Sequence, residues 1–241
     1  MAESLSAKSL IKGFKGRRVV NGADITVKAG EIVGLLGPNG AGKSTTFYMI
    51  VGRIMPDSGR VSIDGADVTA MPMYMRARMG IGYLPQEASI FRGLSVLDNL
   101  RVVLHESGIG RHDVEGECGR LIDELGLGHI AATPGYALSG GERRRVEIAR
   151  CLAANPSFIL LDEPFSGIDP VAVYDIQEIV AELRGKGYGI LLTDHNVRET
   201  LAITDRTYLM HQGSVILKGP PDKIANDPIA KKYYLGERFE W

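Results

Sequence analysis

The stretch Glu31-Ile-Val-Gly-Leu-Leu-Gly37-Pro-Asn-Gly-Ala-Gly42-Lys43-Ser44, running on into Thr45-Thr-Phe-Tyr-Met-Ile-Val51, decides the fold. A short apolar run passes into a glycine-rich turn and then into an apolar helical segment, which reads as strand, loop and helix. The turn fits the pattern G-x-x-x-x-G-K-[ST] at every fixed position. Its glycines let successive backbone N–H groups curl round a phosphate, and the helix N-terminus adds partial positive charge. The nucleotide-binding set expected here is Gly37, Pro38, Asn39, Gly40, Ala41, Gly42, Lys43, Ser44 and Thr45. Lys43 would neutralise the β- and γ-phosphates of ATP, and Ser44 would ligate Mg²⁺.

Three further runs are apolar throughout and end abruptly in polar residues: Ile81-Gly-Tyr-Leu-Pro-Gln86, Phe158-Ile-Leu-Leu-Asp-Glu163 and Gly189-Ile-Leu-Leu-Thr-Asp-His195. Such runs suit parallel strands covered on both faces. Ligands of open α/β sheets bind beyond the carboxyl ends of the strands, so all four polar clusters are expected on one edge. Ser4 to Val27, Arg60 to Val68 and Arg206 to Lys218 instead alternate or turn at Asn-Gly, Asp-Gly and Gln-Gly pairs, which predicts an antiparallel flank.

Between Ser95 and Asn155 the strand signal disappears. Ser95 with Asp98 resembles a capping box ahead of a helix carrying Val96, Leu97, Leu100, Val103 and Leu104 on one face. Further helices are expected over Val114–Leu125 and Gly140–Ala154, then from Asp169-Pro170 to about Arg184, over Asn196–Ala202, and from Asp227-Pro228. One domain over residues 1–241 is predicted, with a helical subdomain inserted over about 89–157 and a C-terminal helix and tail over 227–241. The expected class is α/β, a P-loop NTPase core with an antiparallel β flank and the inserted helices.

Charge narrows the partners. The chain has 28 basic and 29 acidic residues among 241, so no global positive field attracts nucleic acid. No apolar run approaches the roughly 20 residues of a membrane span, and no export signal is read at the N-terminus. Cys118 and Cys151, without a CxxC or a histidine partner, read as reduced and buried.

Two carboxylates at one strand end, Asp162 and Glu163, need a cation or a proton to move. Asp162 is suited to holding Mg²⁺ and Glu163 to accepting a proton from an attacking water. Leu138-Ser-Gly-Gly-Glu142 opens a helix with two glycines, giving Ser139, Gly140, Gly141 and Glu142 as a second anion-binding candidate. An ordinary N-cap, Ser139 closed by Glu142, is the simpler alternative. Arg143-Arg144-Arg145 after it reads as a solvated helix face, with one arginine helping to order nucleotide as the alternative.

Beside a phosphate-binding loop, Leu138–Glu142 resembles the signature sequence of ABC-type ATPases, and the resemblance spans essentially the whole chain. It implies a homodimer in which each ATP lies between one copy's P-loop and the other's signature helix. It further implies that Gln86 is the glutamine that senses Mg²⁺, that Ser166-Gly-Ile-Asp169 brings Asp169 to the nucleotide, and that His195 contacts the γ-phosphate. Glu163, His195, Gln86 and Lys43 are then the catalytic set, and Ser44, Gln86 and Asp162 the metal set. Phe14, 23 residues before Gly37, matches the aromatic residue that stacks on adenine, with packing against Leu10 and Ile11 as the competing reading.

Family members of this length commonly serve transmembrane subunits in separate chains, as peripheral proteins on the cytoplasmic face of the inner membrane. The resemblance places partner docking at Phe91, Arg92 and Leu94, against the alternative that Ile90, Phe91 and Leu94 seal the insert to the core. Gly80–Phe91, Ser139–Arg150, Thr193–Thr200 and the ending Tyr234-Leu-Gly-Glu237 resemble the lipopolysaccharide-export branch of the family. Branched-chain amino-acid importers share part of that ending, and a soluble ATPase acting in assembly stays open beside both.

Overall fold

Consecutive residues of a strand point to opposite faces, so a strand apolar at every position needs a core on each side. The computed structural model, which describes residues 1–108, 110, 112–239 and 241, supplies both cores. The chain runs β1 (Ser4–Phe14), β2 (Arg17–Lys28), β3 (Ile32–Leu36), α1 (Lys43–Val51), β4 (Ser58–Ile63), β5 (Ala66–Asp67), α2 (Met73–Arg78) and β6 (Ile81–Leu84). Helices α3 (Val96–Glu106), α4 (Val114–Glu124) and α5 (Gly140–Ala153) follow before β7 (Phe158–Asp162). Then come α6 (Pro170–Gly185), β8 (Gly189–Thr193), α7 (Val197–Ile203), β9 (Arg206–His211), β10 (Ser214–Gly219), α8 (Pro221–Asn226) and α9 (Pro228–Ala230).

The central sheet has the order β10-β9-β3-β8-β7-β6, parallel except for β10. Ile32, Ile159, Leu161, Ile190 and Leu192 face a core shared with α3–α6. Val33, Leu35, Phe158, Leu160 and Leu191 face the opposite core, shared with α1 and the second sheet, β2-β1-β4-β5. That second sheet is the expected antiparallel flank. The hairpin Arg206–Lys218 does not belong to it: β9 pairs in parallel with β3, and β10 closes that edge of the central sheet. Tyr208 and Met210 are apolar on the side facing the flank core, a role that alternation alone does not distinguish from flank membership.

Several local expectations change on folding. Ser95 caps α3 by accepting the Asp98 N–H, but the Asp98 carboxylate bonds the Ser95 hydroxyl instead of its backbone, so only half of a capping box forms. The final helix from Pro228 is one turn, followed by a π-turn over Lys231–Leu235. Helix α2 carried no sequence signal strong enough to read, because four of its six residues are Met or Arg. Its Arg76 is 1% exposed and donates to the carbonyls of Met49, Ile50, Thr69 and Met71 at 2.6–2.9 Å. Cys118 and Cys151 are free thiols; Cys118 is buried and Cys151 half-buried. No described helix is long and apolar enough to cross a membrane.

Candidate active site

Gly37 and Gly42 shape the loop between β3 and α1. Both have positive φ, 148° and 99°. A Cβ at Gly37 would collide with the Met210 carbonyl, and one at Gly42 would stand 2.7 Å from the Val19 carbonyl oxygen. The Lys43 ammonium folds back to donate to the Gly37 and Pro38 carbonyls at 2.6 and 3.1 Å. Burial holds its pKa below the ordinary lysine value, with Glu163 pulling the other way. Asn39, Gly40 and Ser44 are exposed, while Pro38 and Thr45 are half-buried. Beside the loop opens a cavity of about 540 Å³ lined by Arg17, Arg18, Val19, Pro38–Ala41, His211 and Gln212. Sequence reading missed its β2 and β9 walls, since neither Arg17-Arg18 nor His211-Gln212 belongs to a motif. Phe14, at the end of β1, is 45% exposed, whereas Leu10 is fully buried, so the three-residue apolar cluster does not form.

Strands β6, β7 and β8 are neighbours in the sheet, and the residues just beyond them converge. The Gln86 amide donates to Glu163 Oε2 at 2.7 Å, and His195 Nδ1 lies 3.4 Å from the same oxygen. Glu163 has φ +46°, a conformation uncommon outside glycine, and its N–H is held by the Thr193 carbonyl at 2.7 Å. Asp162 is 3% exposed, and burial raises its pKa; the Tyr83 hydroxyl at 3.4 Å and Tyr48 oppose that shift. Burial pushes the Tyr83 phenol up to about 12, so it stays a neutral donor. No sequence signal marked Tyr48 or Tyr83, which read as parts of apolar runs.

Ser139 and Glu142 form a complete capping box on α5. A Cβ on Gly141 would stand 2.8 Å from the Ala172 Cβ, so this glycine lets α5 close on α6. Asp169 caps α6, accepting the Val171 and Ala172 N–H groups at 3.1 and 3.0 Å. The arginine run is not uniformly solvated. Arg144 is 6% exposed and reaches the Pro85 carbonyl at 2.8 Å, the Glu147 carboxylate at 3.2 Å and the Asp162 carbonyl at 3.2 Å. A helix period turns one of three consecutive residues inward, which a count of charges does not register. Arg145 pairs with Asp175.

A family model described as ABC transporter matches residues 20–166, more than half of the chain. The chain belongs to the ABC transporter family. This cassette is 56% identical over 237 residues to the lipopolysaccharide export system ATP-binding protein LptB of Escherichia coli K12, covering 98% of each chain. It is 52% identical over 240 residues to the protein of the same name from Acidithiobacillus ferridurans, covering 100% of both. A probable ABC transporter ATP-binding protein of Azorhizobium caulinodans is 56% identical over 236 residues, 98% of this chain and 84% of that one. Among solved structures, the cassette matches an ATP-binding cassette of an ABC transporter in its ADP conformation with TM-score 0.87 and 29% identity, over 98% of this chain and 100% of the other.

A second cavity of the cassette, about 270 Å³, lies between α2, β6, α3 and α5, lined by Met73, Ala77, Tyr83, Val103, Arg150 and Cys151 among others. Phe91, Arg92 and Leu94 are exposed and do not line it, but Phe91 lies against the Arg150 guanidinium, 4.5 Å from ring centre to Cζ. Ile90 alone of that segment packs into the core. Buried Asn99 shapes the turn, pairing with Phe91 N and with the carbonyls of Phe91, Leu94 and Ser95.

Proposed function

We propose that this cassette is the ATP-hydrolysing subunit that powers lipopolysaccharide export from the inner membrane, acting as a homodimer beneath transmembrane subunits in separate chains. The observation that carries the reading is near-full-length identity of 56% to a lipopolysaccharide export ATP-binding protein. The P-loop, Gly37 to Thr45, binds the ATP phosphates, and Phe14 stacks on adenine from the exposed end of β1. Helix α1 packs on β1 and β2, whereas α5 packs on α3, α4, α6 and β6. The two helices whose N-termini suit phosphate therefore pack on different elements of one copy. A second copy brings Ser139–Glu142, with Asp169, to the nucleotide held by the first.

The donor set fits Mg²⁺: a serine hydroxyl, an amide oxygen and one carboxylate are hard oxygen ligands, of the kind this ion takes alongside phosphate and water. Ser44, Gln86 and Asp162 would hold it, and it would neutralise charge on the transferring phosphoryl group. Glu163 accepts the proton of the attacking water, His195 contacts the γ-phosphate, and Gln86 ties the site to the segment that follows β6. Phe91, Arg92 and Leu94, exposed on that segment, receive the membrane subunit.

The test is isolation from native membranes followed by reconstitution in vesicles. A multi-spanning partner should co-purify, and Mg²⁺-ATP should drive lipopolysaccharide extraction. ATP-driven amino-acid uptake, or no membrane partner at all, would defeat the export reading.

A further inference from the structure

Asp194 is unaccounted for by the roles above. It precedes His195, its side chain is 0% exposed, and it has no arginine or lysine partner among the described ion pairs. A buried carboxylate needs acceptor work to offset its lost hydration. Here the two oxygens divide that work between two loops. Oδ1 accepts the Asn196 N–H at 2.8 Å, within its own turn. Oδ2 accepts the Phe165 N–H at 2.9 Å, 29 residues away in the turn after β7. Phe165 is itself 2% exposed, so this bond is shielded from water.

The second bond lies two residues beyond Glu163, whose φ of +46° is strained for a residue with a Cβ and persists only where its surroundings hold it. Three backbone ties do so: the Thr193 carbonyl on Glu163 N–H, the Ser166 N–H on the Glu163 carbonyl within the turn, and the Asp194 carboxylate on Phe165 N–H, the one side chain among them. His195 Nδ1 stands 3.5 Å from Asp194 Oδ1 and 3.4 Å from Glu163 Oε2, so one carboxylate fixes the backbone on either side of the Glu163–His195 pair. A turn-capping role alone explains the Asn196 bond but not the reach to Phe165.

We infer that Asp194 is a positioning residue for ATP hydrolysis, a clasp that locks the turn carrying Glu163 to the loop carrying His195. The inference rests on the roles proposed for Glu163 and His195. Asparagine is nearly the same shape, yet one of its two ends donates, so it must set an N–H against either Phe165 or Asn196.

The test compares wild type, Asp194→Asn, Glu163→Gln and the double variant, measuring kcat, KM, ATP dissociation constant and unfolding midpoint in urea. In Asp194→Asn, kcat should fall about 10- to 100-fold, as for a catalytic group displaced by about 1 Å, while ATP affinity stays within about threefold. The double variant should be no slower than Glu163→Gln alone, within about twofold, because the clasp acts through Glu163. A kcat within about twofold of wild type overturns the clasp. So does a fall in ATP affinity that matches the fall in kcat and accompanies a lower midpoint, since that marks general support of the fold. Full turnover in Glu163→Gln removes the base assignment, and the kcat-against-affinity split in Asp194→Asn still decides the clasp.

Discussion

The side-chain amide of Gln86 donates a 2.7 Å hydrogen bond to Glu163 Oε2, joining residues 77 apart in sequence through the ends of two adjacent strands. One carboxylate oxygen thereby meets both the Gln86 amide and the His195 ring. Replacing Glu163 by Gln removes the proton acceptor without changing its size. Hydrolysis should drop by roughly 10²-fold or more while ATP still binds, and closed dimers should accumulate in size-exclusion runs with ATP. Unchanged turnover would contradict the base role.

Lys43→Ala should act on binding. Its ammonium is held over the loop carbonyls of Gly37 and Pro38, ready to exchange them for phosphate oxygens. A charge-assisted contact is worth about 1.5–3 kcal/mol, so ATP affinity should fall about 10- to 100-fold in a titration.

Arg76→Met tests the fold alone. The arginine serves four backbone carbonyls, the buried pair Met49 and Ile50 at the end of α1 and the part-buried pair Thr69 and Met71 in the turn between β5 and α2. Leaving them unpaired should cost about 3–5 kcal/mol, read as a lower urea midpoint, with ATP affinity retained under native conditions.

Phe91→Ala should spare the ATPase rate of the isolated cassette, since Phe91 touches Arg150 at the groove rim and none of the phosphate-directed groups. In the assembled transporter the same change should separate hydrolysis from transport. Coupled transport at the wild-type rate would remove Phe91 from the docking surface.

Cys151 is half-buried as a residue, but its sulfur is turned into the protein, and burial pushes the thiol up from 9.0 to about 12. Its sulfur stands 2.5 Å from where a Cβ on Gly82 would be, tucked under β6. At pH 8 the thiolate fraction falls about a thousandfold relative to an unperturbed thiol, and the Cys118 pKa is also raised by burial. Alkylation of the native protein should be slow and should become fast in denaturant; rapid labelling of the native fold would argue against this packing.

By itself the sequence determined the parallel core, the glycine-rich loop between β3 and α1, the two carboxylates after Leu161 and the capped helix at Ser139. These are local: an apolar run, a glycine pattern or a cap is written in consecutive residues. What only tertiary structure decided depends on partners far apart in the chain. The hairpin Arg206–Gly219 joined the central sheet because β9 found β3, a choice its alternation leaves open. Arg144 turned inward because Pro85 and Asp162 offered it carbonyls. Asp194 became a clasp because parallel pairing of β7 with β8, Asp162 opposite Thr193, set the following turns side by side. Register between strands fixes which loops touch, and no stretch of one strand carries that information.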